Sequence, residues 1–160
     1  MKKTNAMRIL DGLKIKYEIL TYEDDGEHEL EHGIAAKTAE KIGVAPEQLF
    51  KTIVMQTESK EIVVFCQSAV HQVGSKKARN ACGSKIRAVK SEDLLELTGY
   101  VRGGCTPIGM KKNFPVFIDK SALDHEYICV SAGARGKQIK LSPQDLIKAC
   151  GAQAVDLTQE

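Results

Sequence analysis

Thr98 to Lys112, TGYVRGGCTPIGMKK, holds four glycines, one proline and three basic residues within fifteen positions. Glycine allows backbone angles closed to other residues and lets the main chain come close to a ligand. Gly103 and Gly104 can therefore aim bare N–H groups at an oxyanion or a phosphate. Pro107 stiffens the exit, and Lys111 and Lys112 supply positive charge. A plain turn between a helix and a strand is the competing reading, because paired glycines and Thr-Pro also mark ordinary loops. The run from Gly104 imitates a phosphate loop, but Met110 stands where the lysine is required. G-x-G-x-x-G and G-x-S-x-G are both absent, which removes the usual signatures of dinucleotide binding and of a serine elbow.

Three other places carry reactive residue types. His28-Glu29-Leu30-Glu31-His32 spells H-E-x-x-H, in which two imidazoles one helical turn apart bind zinc and the glutamate activates water. Six acids crowd that stretch, Gly26 and Gly33 bracket it, and Ala35 and Thr38 stand where the extended motif needs glycine and a third histidine. An exposed acidic loop is the favoured reading, with no metal. Lys51, between Phe50 and Thr52 at the entry of an apolar run, is a second candidate. If it points inward its ammonium must find an anion, and it can then hold a phosphate or carboxylate or orient an ester; otherwise it is a solvent-facing strand lysine. Cys105 invites a nucleophile reading with His71 or His125 as base, although no spacing links them and a buried packing thiol competes.

Composition narrows the classes. A chain of 160 residues without a Pro/Gly/Ser-rich linker predicts one domain over 1–160 with a sizeable core. Neither a leader-like apolar run near the start nor a membrane-length span occurs, so a soluble, cytoplasmic protein is expected. Five cysteines with no C-x-x-C pair argue for reduced thiols rather than disulfides or a zinc ribbon. The net charge is only +2, yet the signs are segregated. Six acids lie between Glu23 and Glu31, and six bases with no acid lie between His71 and Lys90. A basic face that includes Lys76, Lys77 and Arg79 can steer a polyanion such as RNA, against the alternative of an ordinary solvated helix face.

These residues need positioning elements. Thr4 predicts a cap for a helix with Ala6, Ile9, Leu10 and Leu13 on one face. Ile15, Tyr17 and Ile19 alternate as a strand leading to Tyr22. Ile34 to Ile42 reads as a helix stopped by Gly43, and Pro46 starts a brief turn. The runs 50–57 and 61–67, separated by Glu58-Ser59-Lys60, predict an antiparallel hairpin. Ser75 is expected to cap a helix through Cys82, followed by a strand over 85–89 and a helix from Ser91 to Gly99. Strands are expected at 116–118, 127–130, 139–141 and 154–157, with Ser142-Pro143-Gln144-Asp145 starting a last helix. Hairpins mixed with helices exclude a doubly wound parallel sheet and predict a mixed α/β fold, a partly closed, barrel-like sheet surrounded by helices.

Taken in order, Tyr22, Phe50-Lys51-Thr52, Gly99-Tyr100 with Gly103-Gly104-Cys105-Thr106-Pro107-Ile108-Gly109, and Ser131-Ala132-Gly133-Ala134-Arg135-Gly136 form a joint pattern over nearly the whole chain. It resembles the YbaK-like family, the aminoacyl-tRNA deacylases related to the editing domain of bacterial prolyl-tRNA synthetases, and within it the freestanding Cys-tRNA(Pro) deacylases. The resemblance implies trans-editing hydrolysis of mischarged tRNA, with tRNA-Pro and prolyl-tRNA synthetase as candidate partners and no cofactor. It implies that Lys51 is the catalytic lysine and that Tyr22, Thr52, Gly103, Gly104, Thr106, Ser131, Gly133 and Gln138 bind substrate. The tRNA body would then meet Lys76, Lys77, Arg79, Lys111 and Lys112. Two positions depart from what members of the family carry: Ala132 replaces a frequent glycine, and Gln138 stands where some members have an aspartate. Glutamine keeps hydrogen bonding without charge, a change that bears on amino-acid preference rather than on the reaction.

Overall fold

The protein is described as a computed structural model covering residues 2–23 and 34–159. The H-E-x-x-H stretch lies outside the described residues. Helix α1 (Asn5–Gly12) starts where Thr4 Oγ1 accepts from the Met7 N–H at 3.3 Å, and it buries Ala6, Met7 and Leu10. Ile9 and Leu13, expected on the inner face, stay exposed because Met7 takes that side. Next come β1 (Glu18–Thr21), α2 (Ile34–Ile42) and a 3₁₀ turn at Pro46–Gln48. The predicted hairpin is β2 (Phe50–Thr57) with β3 (Ile62–Ser68), turning at Lys60, whose φ is 68°. Helix α3 (Ser75–Cys82) is capped by Gly74 with Ser75 already its first residue, so the expected serine cap is not used. Strand β4 (Ile86–Ala88), α4 (Ser91–Thr98), β5 (Val116–Asp119) and an unanticipated 3₁₀ turn at Lys120–Asp124 follow. The chain closes with β6 (Ile128–Ser131), β7 (Lys137–Leu141), α5 (Pro143–Cys150) and β8 (Gln153–Val155). Ser142 caps α5 as its sequence predicts, accepting from the Asp145 N–H at 3.1 Å.

The mixed α/β class holds, but the strands do not close into a barrel. Among the described residues they form two open sheets, β1-β7-β6 and β4-β2-β3-β5-β8. β3 fills one edge of β2; β4 takes only Met55–Thr57 of the other edge, and β6 meets that edge at one parallel bridge, Leu49–Cys129. Strands β1 and β8 end their sheets without pairing to each other, which leaves the array open.

Both sheets turn one face to a shared core. Phe50, Val54, Val64 and Ile118 of the larger sheet meet Val130, Ile139 and Leu141 of the smaller, together with Leu10, Tyr100, Ile108 and Leu146. Alternation sends Val63, Phe65 and Phe117 to the opposite face, where Ala78 of α3 and Leu157 cover them. No helix of the described residues is long and apolar enough to cross a membrane.

Candidate active site

Strand register assembles a polar row on the face turned away from the shared core. Gln138 of β7 lies opposite Leu20 of β1 and opposite Ser131 of β6. The Leu49–Cys129 bridge runs parallel, so two residues further along each strand Lys51 stands beside Ser131, and Lys51 is itself opposite Gln67 of β3. Directly paired residues share a face and alternate residues return to it. Leu20, Gln138 and Ser131 therefore share a face across the three paired strands of the smaller sheet, Lys51 and Gln67 share a face across β2 and β3, and the isolated bridge brings the two groups together. Gln67 is fully buried and satisfied, donating to Thr158 Oγ1 at 2.9 Å and accepting from the Ser68 N–H at 2.7 Å. Ser131 Oγ accepts from the Gly133 N–H at 3.4 Å. Lys51 is half-buried, and Gln138 is 7% exposed with its Oε1 buried and without a hydrogen-bond partner among the described residues.

The loop after β6 continues from the Ser131–Gln138 end of this row, and the other glycine-bearing segment meets that loop. The loop 132–136 joins β6 to β7; the Ala132 N–H donates to Lys137 O at 3.0 Å and the Tyr22 N–H to Gly136 O at 2.9 Å, which brings half-buried Tyr22 to the row's edge. Arg135 Nε donates to Arg102 O at 2.9 Å, and a Cβ on Gly104 would stand 3.2 Å from the main chain of Ala134 and Arg135. The close approach of the two segments thus needs glycine at 104. Gly133, at φ +93°, has room for no side chain either, since a Cβ would sit 2.8 Å from the Tyr100 ring. Tyr100 is held by donation to Ile108 O at 2.6 Å, and burial pushes its hydroxyl up to about 12, so it stays a neutral donor.

Not every expected residue joins this site. The Gly104 N–H is already donated to Val101 O at 3.0 Å, whereas Gly103 is exposed and its N–H makes no main-chain hydrogen bond among the described residues. Thr52 lies on the opposite face from Lys51, paired with buried Cys66; its Oγ1 and that of fully buried Thr106 have no hydrogen-bond partner among the described residues. Lys77 is committed to the C-terminal segment, donating to Thr158 O at 2.8 Å and pairing with Asp156 at 3.0 Å. Lys76 and Arg79 are exposed on the same helix. Lys111 and Lys112 line a separate groove of about 940 Å³ with Lys60, Arg87 and Lys90, beside Gln56 at the far end of β2. That end is about 17 Å from Lys51 along the strand at ~3.4 Å per residue.

The cysteines are free thiols, and Cys66, Cys105 and Cys129 are buried. Cys129 sits two residues before Ser131 on the outer face of β6, and burial pushes its thiol up to about 11, so it offers no thiolate at neutral pH. No group of three or more metal-ligating side chains occurs among the described residues. Gln67 and the Tyr100 and Thr4 links to the loop escape a reading of the sequence, because each depends on long-range register; Thr4 Oγ1 donates to Ala132 O at 2.5 Å, across 128 residues.

The aminoacyl-tRNA editing domain profile matches residues 28–149, and the chain belongs to that family. It is 36% identical over 98% of its length, and 94% of the relative's, to the Enterococcus faecalis protein named "Putative Cys-tRNA(Pro)/Cys-tRNA(Cys) deacylase EbsC". A 72-residue stretch is 33% identical to a Brachyspira hyodysenteriae proline–tRNA ligase, covering 44% of this chain and 12% of the ligase. The crystal structure of a "putative trans-editing enzyme for prolyl tRNA synthetase" superposes with a TM-score of 0.80 at 23% identity over all of both chains. The hypothetical protein APE2540 does so with 0.85 at 18% identity, over 98% of this chain and 100% of that one. Both share the fold.

Proposed function

We propose that the protein is a trans-editing deacylase that hydrolyses the ester of mischarged tRNA, with Cys-tRNA(Pro) as its substrate. The observation that carries this reading is the polar row of Lys51, Ser131 and Gln138 meeting the glycine-bearing segments. It supplies binding groups for an activated ester without a protein nucleophile. An aminoacyl ester needs mainly positioning and stabilisation of the oxyanion that develops at its carbonyl. Lys51 binds the phosphate or ribose of the terminal adenosine, and Tyr22 and Ser131 line the pocket. The Gly103 N–H meets the ester carbonyl, since that of Gly104 is taken by Val101.

With a cysteinyl substrate the substrate's own sulfur attacks the carbonyl. A C–S bond forms, the C–O bond to the ribose breaks, and the proton leaves with the 3′-oxygen. Water then opens the cyclic thioester to free cysteine. Such correction answers a size problem: cysteine is smaller than proline, and a proline-activating pocket excludes a smaller side chain poorly. The relation to the Brachyspira ligase makes prolyl-tRNA synthetase the candidate partner.

The test is release of cysteine from charged tRNA-Pro, measured against buffer. Lys51→Ala is expected to reduce it by roughly 100-fold or more while leaving the thermal unfolding curve in place. Equal turnover by the variant would remove Lys51 from the mechanism. Tight tRNA binding by the wild type with no hydrolysis above buffer would make the protein a binding module instead.

A further inference from the structure

Gln67 continues the outer-face series of β3, where Val63 and Phe65 precede it in the apolar cluster beneath α3. An apolar side chain would extend that cluster, and an amide buried there is costly unless both its ends are bonded. Both are: Oε1 accepts from the Ser68 N–H at 2.7 Å and Nε2 donates to Thr158 Oγ1 at 2.9 Å. The fully buried amide is therefore fixed in one orientation. Its direct cross-strand neighbour is Lys51, and such pairs keep their Cβ atoms about 4.5–5.5 Å apart.

The acceptor for Gln67 comes from the segment after β8, and that segment is tied down independently. Thr158 bridges to Val73 as an antiparallel pair, the Gly74 N–H donates to Leu157 O at 2.7 Å, and the Gln159 N–H donates to Gln72 O at 2.9 Å. Lys77 Nζ donates to Thr158 O at 2.8 Å, and Leu157 is fully buried. Buried Asp119 accepts from the Leu157 N–H at 2.7 Å and from the Ser121 N–H at 3.0 Å. Burial pushes its carboxyl up, but hydrogen bonds from Ser121, Leu157 and Thr158 outweigh that and hold it below the ordinary carboxylate value. A carboxylate only accepts, so the Thr158 hydroxyl donates to Asp119 and keeps a lone pair for Gln67. One buried charge thus sets the direction of the bonds from Asp119 to Gln67.

We infer that Gln67 is a positioning residue for Lys51, and that Thr158 and Asp119 hold Gln67 to that task, so that the segment after β8 completes the site from behind. For what Lys51 does this rests on the deacylase reading; it adds where the orientation of that lysine comes from. A lysine carries its ammonium on a flexible four-carbon stem. An immobile amide on the β3 side removes the rotamers that would swing the charge away from Ser131, on the β6 side.

The test reads Lys51 directly. The order of its side chain is measured by NMR relaxation at Cε and Nζ, the signal being identified by its loss in Lys51→Ala, alongside the melting temperature and cysteine release from charged tRNA-Pro. Thr158→Val keeps the shape and removes the acceptor; it should lower the order of Lys51 and reduce cysteine release roughly tenfold. Gln67→Met, which keeps the length and loses the amide, should do the same. Thr158→Ser restores the hydroxyl and should return both readouts to wild-type levels. A merely structural contact would lower the melting temperature and leave Lys51 as ordered as in wild type. That outcome, or equal disorder of Lys51 in Thr158→Ser and Thr158→Val, would overturn the inference, and so would undiminished cysteine release from a disordered Lys51. Order lost in Thr158→Val and regained in Thr158→Ser, with no hydrolysis of charged tRNA by wild type, would instead leave this inference standing and remove the deacylase reading.

Discussion

The two glycine-bearing segments that flank the row reach their positions by different means. The loop 132–136 is fastened by main chain: it links adjacent antiparallel strands, with the Ala132 and Tyr22 N–H groups donating to Lys137 and Gly136 at either end. The stretch between α4 and β5 spans residues 99–115 without helix or strand. It is held by side chains and short turns: Tyr100 to Ile108, Asn5 Nδ2 to Gly109 O at 2.6 Å, and Arg135 from the other loop to Arg102. One segment is a continuation of the sheet, and the other is tied to it by Arg135 and to α1 by Asn5. Errors introduced in the sheet-borne loop should therefore spread to both, whereas errors in the tethered stretch should remain local and fall mainly on turnover.

Gly133→Ala is the strongest way to break this asymmetry. It forces a side chain into φ +93° and a Cβ to 2.8 Å from the Tyr100 ring. Destabilisation of about 1–3 kcal/mol is expected, read from denaturant unfolding, with turnover lost as well. A variant as stable as wild type would show that the loop is free to yield. Gly104→Ala, whose Cβ meets the Ala134 and Arg135 main chain at 3.2 Å, acts from the tethered side. It should cost only about 1 kcal/mol in stability but lower deacylation by roughly tenfold or more, because the two segments must move apart. The smallest effect belongs to the exposed basic residues of α3. Charge reversal at Lys76 and Arg79 should weaken tRNA binding a few-fold and lower its salt slope by about 1 for each phosphate no longer neutralised. Lys77→Ala should instead loosen the C-terminal segment that it holds through Asp156 and Thr158. If binding were indifferent to the double reversal, that helix face would be merely solvated.

Local chemistry was legible in the chain. Thr4 and Ser142 cap the helices their sequences predict, the hairpin turns at the three polar residues between its β-rich runs, and Gly99 ends α4 at a φ of 88°. Each of these is decided within a few residues. What the sequence hid is decided across the chain. Lys51 and Ser131 stand side by side only because Leu49 meets Cys129, and no local pattern announces that bridge. The same holds for the failed barrel, since closure depends on whether the outermost strands find each other. Thr52 illustrates the limit within a motif: it adjoins Lys51 in sequence, yet alternation turns it to the other side of the sheet.

Among the described residues the backbone join between the two sheets is one pair, Leu49 and Cys129, and the proposed catalytic lysine lies just beyond it. Side chains on a strand change sides with every step, so an offset of one position at that seam would swing Lys51 into the hydrocarbon interior and present Thr52 in its place. The fidelity of one backbone pairing thus decides whether a correctly folded copy is also a competent one.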